Sequence, residues 1–243
     1  MSVNYTIKTR IGDIINEYHK ANDQLTESII KANTKCKNAL SEKIYTPQHS
    51  ADILEKEYEA AESIFKSQAE SLNERLNAAL TLLRKNVVPA LSKAEKTPDY
   101  SIKVNNALQF LQIEGANITD EAAAHILGDF LKDVEAMQQF RRVIGHQLEG
   151  KASITNSYGK TTFPLTFGYL ERCEQVIAAL EDMEETAKKM FLRNKTASKV
   201  DHIGGVRLWE PMDSYTQLVS EYNIVEQAGT FEEMCTEHFN SDN

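Results

Sequence analysis

The chain has 243 residues, 41% of them hydrophobic and 26% charged, with ten Gly, five Pro and a formal net charge of −9. That length provides apolar mass for one or two cores, and so few Gly and Pro exclude a turn-rich sandwich or barrel in favour of helices. Three widely spaced cysteines, Cys36, Cys173 and Cys235, argue against a disulfide framework and suit a reducing compartment.

The first element predicted is a helix over about 5–44, carrying Ile7, Tyr18, Ile29 and Leu40 at eleven-residue steps, with Ile14, Leu25 and Cys36 beside them. With Thr46 as N-cap and Pro47 at the first helical position, a second helix restarts there or at Ser50, runs to about Asn86 and stops before Pro89. Leu54, Phe65, Leu76 and Val87 keep the same step, as do Tyr58, Ala69 and Leu80, and Ala61, Leu72 and Leu83. Eleven residues over three turns is 3.67 per turn, near the unstrained helix, so each stripe runs along its axis with little supercoiling. A bend at 45–50 makes the two helices an αα-hairpin; a straight continuation demands partners from other chains. Either way the apolar face must be covered, because helical stability comes mostly from packing.

A polar linker, Ser92 to Ser101, leads to three short helices around a small core. Val104, Ala107, Leu108 and Leu111 form one face; Thr119-Asp120-Glu121 starts the next helix with acids in its first turn; Ile126 through Ile144 continue the pattern. Residues 151–164, rich in Ser, Thr, Gly and Asn, suit a polar loop or short hairpin. Tyr169, Cys173, Val176, Leu180, Met183, Ala187 and Met190 then form a heptad seam. After a break at Gly204-Gly205, one helix is expected around Met212 to Tyr222 and a last short one from Phe231 to Phe239. The expected fold is all-α: a long helical hairpin or coiled coil over 1–91, a compact helical unit over 100–150, the loop over 151–164, a heptad helix with a basic end over 165–208, and an acidic helical segment over 209–243.

Charge is unevenly placed. Trp209 to Asn243 holds eight acids and no Lys or Arg, while Lys188 to Arg207 holds six basic residues and one acid, Asp201. The negative stretch also carries aromatic residues, so it reads as a segment that folds or docks on something basic rather than as a solvated tail. The candidate partner-contact residues are Trp209, Glu210, Asp213, Tyr215, Leu218, Glu221, Tyr222 and Glu226, with Lys188, Lys189 and Arg193 on the basic side. The basic patch has only Phe191 and Trp209 for stacking and adjoins a stretch that repels polyanions, so nucleic acid is not the expected partner.

Catalytic patterns are sparse. Cys235 and His238, with Glu232 and Glu233 nearby, share a helix face, but a structural zinc site needs four ligands and no second Cys/His pair is present. His125 with Asp120 and Asp129 has acid–base spacing, yet its setting among Ala123, Ala124 and Ile126 favours a partly buried packing histidine. Glu171, Glu174, Glu181, Glu184 and Glu185 lack the Glu-x-x-His pairing of di-iron bundles and read as a solvated face. Asp201, His202 and Ile203 before Gly204-Gly205 resemble no phosphate-binding fingerprint and suit a flexible turn. The expectation is therefore no enzyme, no cofactor and no metal.

Tyr45-Thr46-Pro47 leading into a long charged helix, then Asn106-Ala107-Leu108-Gln109-Phe110-Leu111 and Ile118-Thr119-Asp120-Glu121, is similar in organisation to helical head-assembly and virion structural proteins of tailed bacteriophages, especially those of Gram-positive hosts. The resemblance covers roughly residues 40–145. It implies a non-enzymatic, multicopy protein acting in capsid or virion construction, and it carries over no functional residue. Expected partners are further copies of the chain and a coat or portal-like protein. The opening MSVNYTIKTR has no apolar h-region and no run of 18 apolar residues follows, so no membrane span is expected. The expected location is cytoplasmic where synthesised, and the virion if the protein is retained there. The alternative is a soluble regulatory binding protein, such as a phage-encoded inhibitor or an acidic nucleic-acid mimic; the two differ in stoichiometry.

Overall fold

In the computed structural model the described residues are 7–94, 96–114, 117–148, 155, 162–191, 193–194, 201–210 and 212–240. The fold is all-α. Helix α1 spans Ile7–Ser41 and α2 spans Pro47–Leu91; α3 is Tyr100–Glu114, α4 Asp120–Ile126, α5 Val134–Leu148, α6 Pro164–Ala187 and α7 Tyr215–Asn240. Two antiparallel strand pairs interrupt the helices: β1 (Arg193–Asn194) with β4 (Met212–Asp213), and β2 (Asp201–Ile203) with β3 (Val206–Leu208). By internal contacts the chain divides into two compact units, Met1–Thr81 with Glu181–Glu232 and Leu82–Leu180 with Glu233–Asn243. The divisions fall inside α2, α6 and α7.

In the first unit, α1 and α2 form the hairpin. The turn between them places Lys43 in the left-handed region at φ 53°, and Thr46 starts α2 by accepting from His49 N through Oγ1 at 3.3 Å. Pro47 then sits where a missing N–H costs nothing. The eleven-residue stripes bury as their period requires: Ile7, Ile14, Tyr18, Leu25, Ile29 and Cys36 on α1, and Leu54, Phe65, Ala69, Leu72, Leu76 and Leu80 on α2. Leu40, Tyr58 and Ala61 are half-buried. Tyr18 lies with its ring 5.7 Å from Phe65 and 5.0 Å from Phe191. Partners fall along α1 as they rise along α2: Lys35 with Glu57, and Glu17 with Arg75, whose guanidinium donates to both carboxylate oxygens. The Arg75 hydrogen bond holds the Glu17 carboxyl below its ordinary range. The inner face of α7 completes this unit with Ile224, Ala228 and Phe231, all fully buried, and Glu232 accepts from Lys8 N at 2.9 Å in the first turn of α1.

The second unit packs α3, α4 and α5 around Ala107, Leu111, Ala123, Leu127, Phe130, Met137, Phe140 and Ile144, with Phe163, Phe167 and Leu170. Thr119 caps α4 as its position predicts, its side chain accepting from Ala122 N. Asp133 caps α5: it is 1% exposed, accepts from Ala136 N at 3.1 Å, and takes the Tyr100 hydroxyl on its other oxygen. Burial and that hydrogen bond raise the Tyr100 phenol above its ordinary range. Asp120 accepts from Leu165 N and Thr166 N at 2.8 and 3.0 Å, holding the first turn of α6.

Four expectations need correction. Helix α2 does not stop before Pro89 but continues to Leu91. A proline in the last turn forfeits one intrahelical bond, and full burial of Val87 and Leu91 outweighs that loss. The 209–243 segment holds one helix, not two. Gly229 lies inside α7, where glycine costs about 1 kcal/mol against alanine, but Ala228, Phe231 and Cys235 are buried around it and keep the helix continuous. The basic end of 165–208 is not helical beyond Ala187; 193–213 holds the four short strands instead. His125 is exposed rather than packed, because Ala123, two residues earlier, takes the inward face. The loop or hairpin expected over 151–164 lies, apart from 155 and 162–164, outside the described residues.

Candidate functional site

The charge step supplies the region of interest. The stretch Asp201–Leu208 is a hairpin closed by Gly204 and Gly205 at φ 58° and 86°, the two positive values that a primed two-residue turn requires. Its inward residues Val206 and Leu208 are buried on Ala32, Cys36 and Leu54, which leaves Arg207 facing out. The Arg207 guanidinium stacks over the Trp209 ring at 4.4 Å. Trp209 is clipped by its backbone: its N–H donates to the Tyr58 hydroxyl at 3.2 Å and its carbonyl accepts from Asn33 Nδ2 at 3.1 Å, while the Tyr58 hydroxyl donates to Asn33 Oδ1.

The remaining candidates separate into two groups. Glu221 is used within the chain, 3.4 Å from His19 Nε2 and accepting from Gln217 Nε2 at 2.6 Å. Lys188 pairs with Glu185 three residues earlier. Arg193 and Asp213 are register partners in the β1–β4 pair, so the basic stretch and the acidic one are joined by backbone pairing. By contrast Glu210, Lys189, Leu218, Tyr222 and Glu226 face outward. Leu218 is 51% exposed, Tyr222 70% and Val219 36%, an apolar patch one turn long on the outer face of α7. Tyr215 opens that helix, where Ser214 Oγ accepts from Gln217 N at 3.0 Å.

The residues weighed for metal or acid–base chemistry do not gather into one site among the described residues. Glu232 is committed to Lys8 N, Glu233 is exposed and Cys235 is fully buried. His238 is buried with Nε2 3.9 Å from Cys173 Sγ and its ring 5.0 Å from that of Tyr169. Burial pushes the Cys173 thiol up to about 11, so it is protonated near neutrality, and burial likewise raises the Cys36 thiol. Among the described residues no three His, Cys, Asp or Glu side chains group as metal ligands. Asp120 is turned to α6, Asp129 lies 4.0 Å from Lys103, and neither is paired with the exposed His125. Glu174 takes both guanidinium nitrogens of Arg141. A cavity of about 20 Å³ bordered by Cys36, Ser50, Leu54 and Glu57 has room for about one water.

Sequence reasoning missed the Asn33–Tyr58–Trp209 clip and the outer face of α3. The first leaves no local signal, since Trp209 and Tyr58 are 151 residues apart. The second was visible: Ile102 and Ile113 stand off the inward stripe.

These features define an all-α protein built on a long helical hairpin, with an exposed apolar patch on an acidic helix. Comparison with protein-family models, with curated proteins and with solved structures finds no match. Among the described residues no helix is long and apolar enough to cross a membrane.

Proposed function

We propose that this is a non-enzymatic structural or assembly protein of a phage head or virion, acting through helix–helix self-association and through charge-complementary contact with a coat or portal-like protein. The observation that carries the reading is the outer face of α7. Leu218, Val219 and Tyr222 stand exposed on a segment with eight acids and no Lys or Arg. A partner presenting apolar side chains edged by Lys or Arg matches both the patch and its charge, and such a contact weakens with salt. The non-enzymatic part is supported by the thiols of Cys36 and Cys173, which burial holds protonated, and by the separation of Asp120 and Asp129 from His125.

The test follows the protein in its native source. Particles and precursor heads are purified and probed for the chain, for wild type and for Leu218→Ser with Tyr222→Ser. Wild-type chain bound to heads or virions in many copies, and lost from them in the variant, is the expected result. Chain found only free of coat and portal protein, or retained equally by the variant, overturns it. The substitutions are confined to the outward face because Ile224, Ala228 and Phe231 on the same helix are core.

A further inference from the structure

The long-helix stripes that sequence alone offers for self-association are spent inside the chain, buried in the α1–α2 hairpin. Another face must serve if copies associate. Helix α3 has one. Its inward face buries Ala107 and Leu111, with Val104 and Leu108 packed against the same core. Its outward face carries Ile102 at 60% exposure, Phe110 at 41% and Ile113 at 81%, with Asn106 and Gln109 exposed between them. Single exposed apolar residues are ordinary, but here they line up. Ile102, Asn106, Gln109 and Ile113 follow one another at steps of four, three and four, the spacing of a coiled-coil seam.

We infer that this outward face of α3 is a contact with the same face of a second copy of the chain, the two helices antiparallel across a two-fold axis. The order apolar, amide, amide, apolar is its own reverse. With the axis level with Ala107 and Leu108, Ile102 meets Ile113 of the second copy and Asn106 meets Gln109 of the second copy, each pair made twice. An amide both donates and accepts, so Asn106 and Gln109 satisfy one another, and a polar pair at such a seam fixes register. That self-reversing order selects the occupant, a second copy of the same face. Copies of a protein with net charge −9 repel, and this stripe of α3 brings them together without an ionised side chain on it. The helix is 15 residues, roughly 22 Å, so the buried area falls at the small end of specific interfaces and the dimer is concentration-dependent.

This inference rests on the self-association part of the proposed function, and the experiment separates the two. Sedimentation of the full chain over a concentration series, with helicity followed by circular dichroism, compares wild type with Ile113→Asp. Wild type should dimerise, and Ile113→Asp should stay at monomer mass with unchanged helicity, since the side chain touches no core. A second variant, Asn106→Cys with Gln109→Cys, should form a disulfide-linked dimer on mild oxidation, because an antiparallel pairing puts those positions opposite each other. Wild type at monomer mass throughout overturns both this inference and the self-association reading. Wild-type association that persists in Ile113→Asp, or absence of the linked dimer while wild type associates, overturns the α3 contact and leaves self-association standing.

Discussion

The α1–α2 hairpin and helix α3 place their apolar residues differently, although the hairpin too leaves Ile30, Ile64 and Leu82 exposed. In the hairpin the large residues on the eleven-residue stripes go inward, and charged residues such as Glu17, Arg75, Lys66 and Glu70 occupy the outside. In α3 the apolar residues are divided, with Ala107 and Leu111 inside and Ile102, Phe110 and Ile113 outside. The lesson is that periodicity, rather than apolar content, marks what a fold buries. A helix apolar on two faces has one core and one vacancy, and the vacancy is where association is cheapest.

The sharpest way to break this comparison is within the hairpin. Leu72→Asp drives an unpaired carboxylate into the seam and should cost roughly 3 kcal/mol or more, whereas Glu70→Lys, at an exposed site 4.0 Å from Lys66, should change stability by less than about 0.5 kcal/mol. Urea midpoints of the two variants check it, and equal small shifts would refute the buried stripe. A second pair makes the same test two residues apart in α3. Leu111→Asp, at 2% exposure, should unfold its unit with a comparable loss of roughly 3 kcal/mol, while Ile113→Asp should leave the melting temperature within a degree or so of wild type.

A smaller effect belongs to Asp133. Its carboxylate caps α5 and receives the Tyr100 hydroxyl, with Lys96 at 3.8 Å, so Asp133→Ala should cost about 2 kcal/mol. Asp133→Asn keeps an N-cap acceptor and should recover part of that loss in the same denaturation series. The smallest expected change is a slope in alkaline solution. The Cys173 thiol is raised from 9.0 to about 11 by burial, so the folded state holds the proton more tightly than the unfolded one. Its contribution is complete below pH 9.0 and declines as pH rises from there towards about 11. Stability measured across that window should fall less steeply in Cys173→Ala, and the late part of the thiolate absorbance titration of the native protein should diminish in that variant.

Much of this architecture was legible along the chain because its signals are local or periodic. Thr46-Pro47 and Thr119-Asp120 mark helix starts by chemistry contained in one turn, and the eleven-residue stripes repeat often enough to name the buried face of α1 and α2. The outward position of Leu218 and Tyr222 was half legible: their spacing marks a helix face, but spacing does not tell a face that docks from one that packs. The charge step was plain as composition, yet the structure uses parts of it internally, in Glu221 with His19 and Arg193 opposite Asp213.

The sequence by itself determined the all-α class, the break between two long helices near Thr46, and the start of α4, since each depends on residues within a turn or on a period sustained over many turns; that the break closes into a hairpin rather than a straight continuation was decided by the tertiary structure. Only the tertiary structure decided that α2 runs through Pro89, that α7 runs through Gly229, that 193–213 pairs into strands, and that Trp209 is held by Asn33 and Tyr58. In each of these, packing contacts outweigh a local preference, about 1 kcal/mol for glycine and about 3 kcal/mol for proline within a helix, or create a pairing for which no local preference exists.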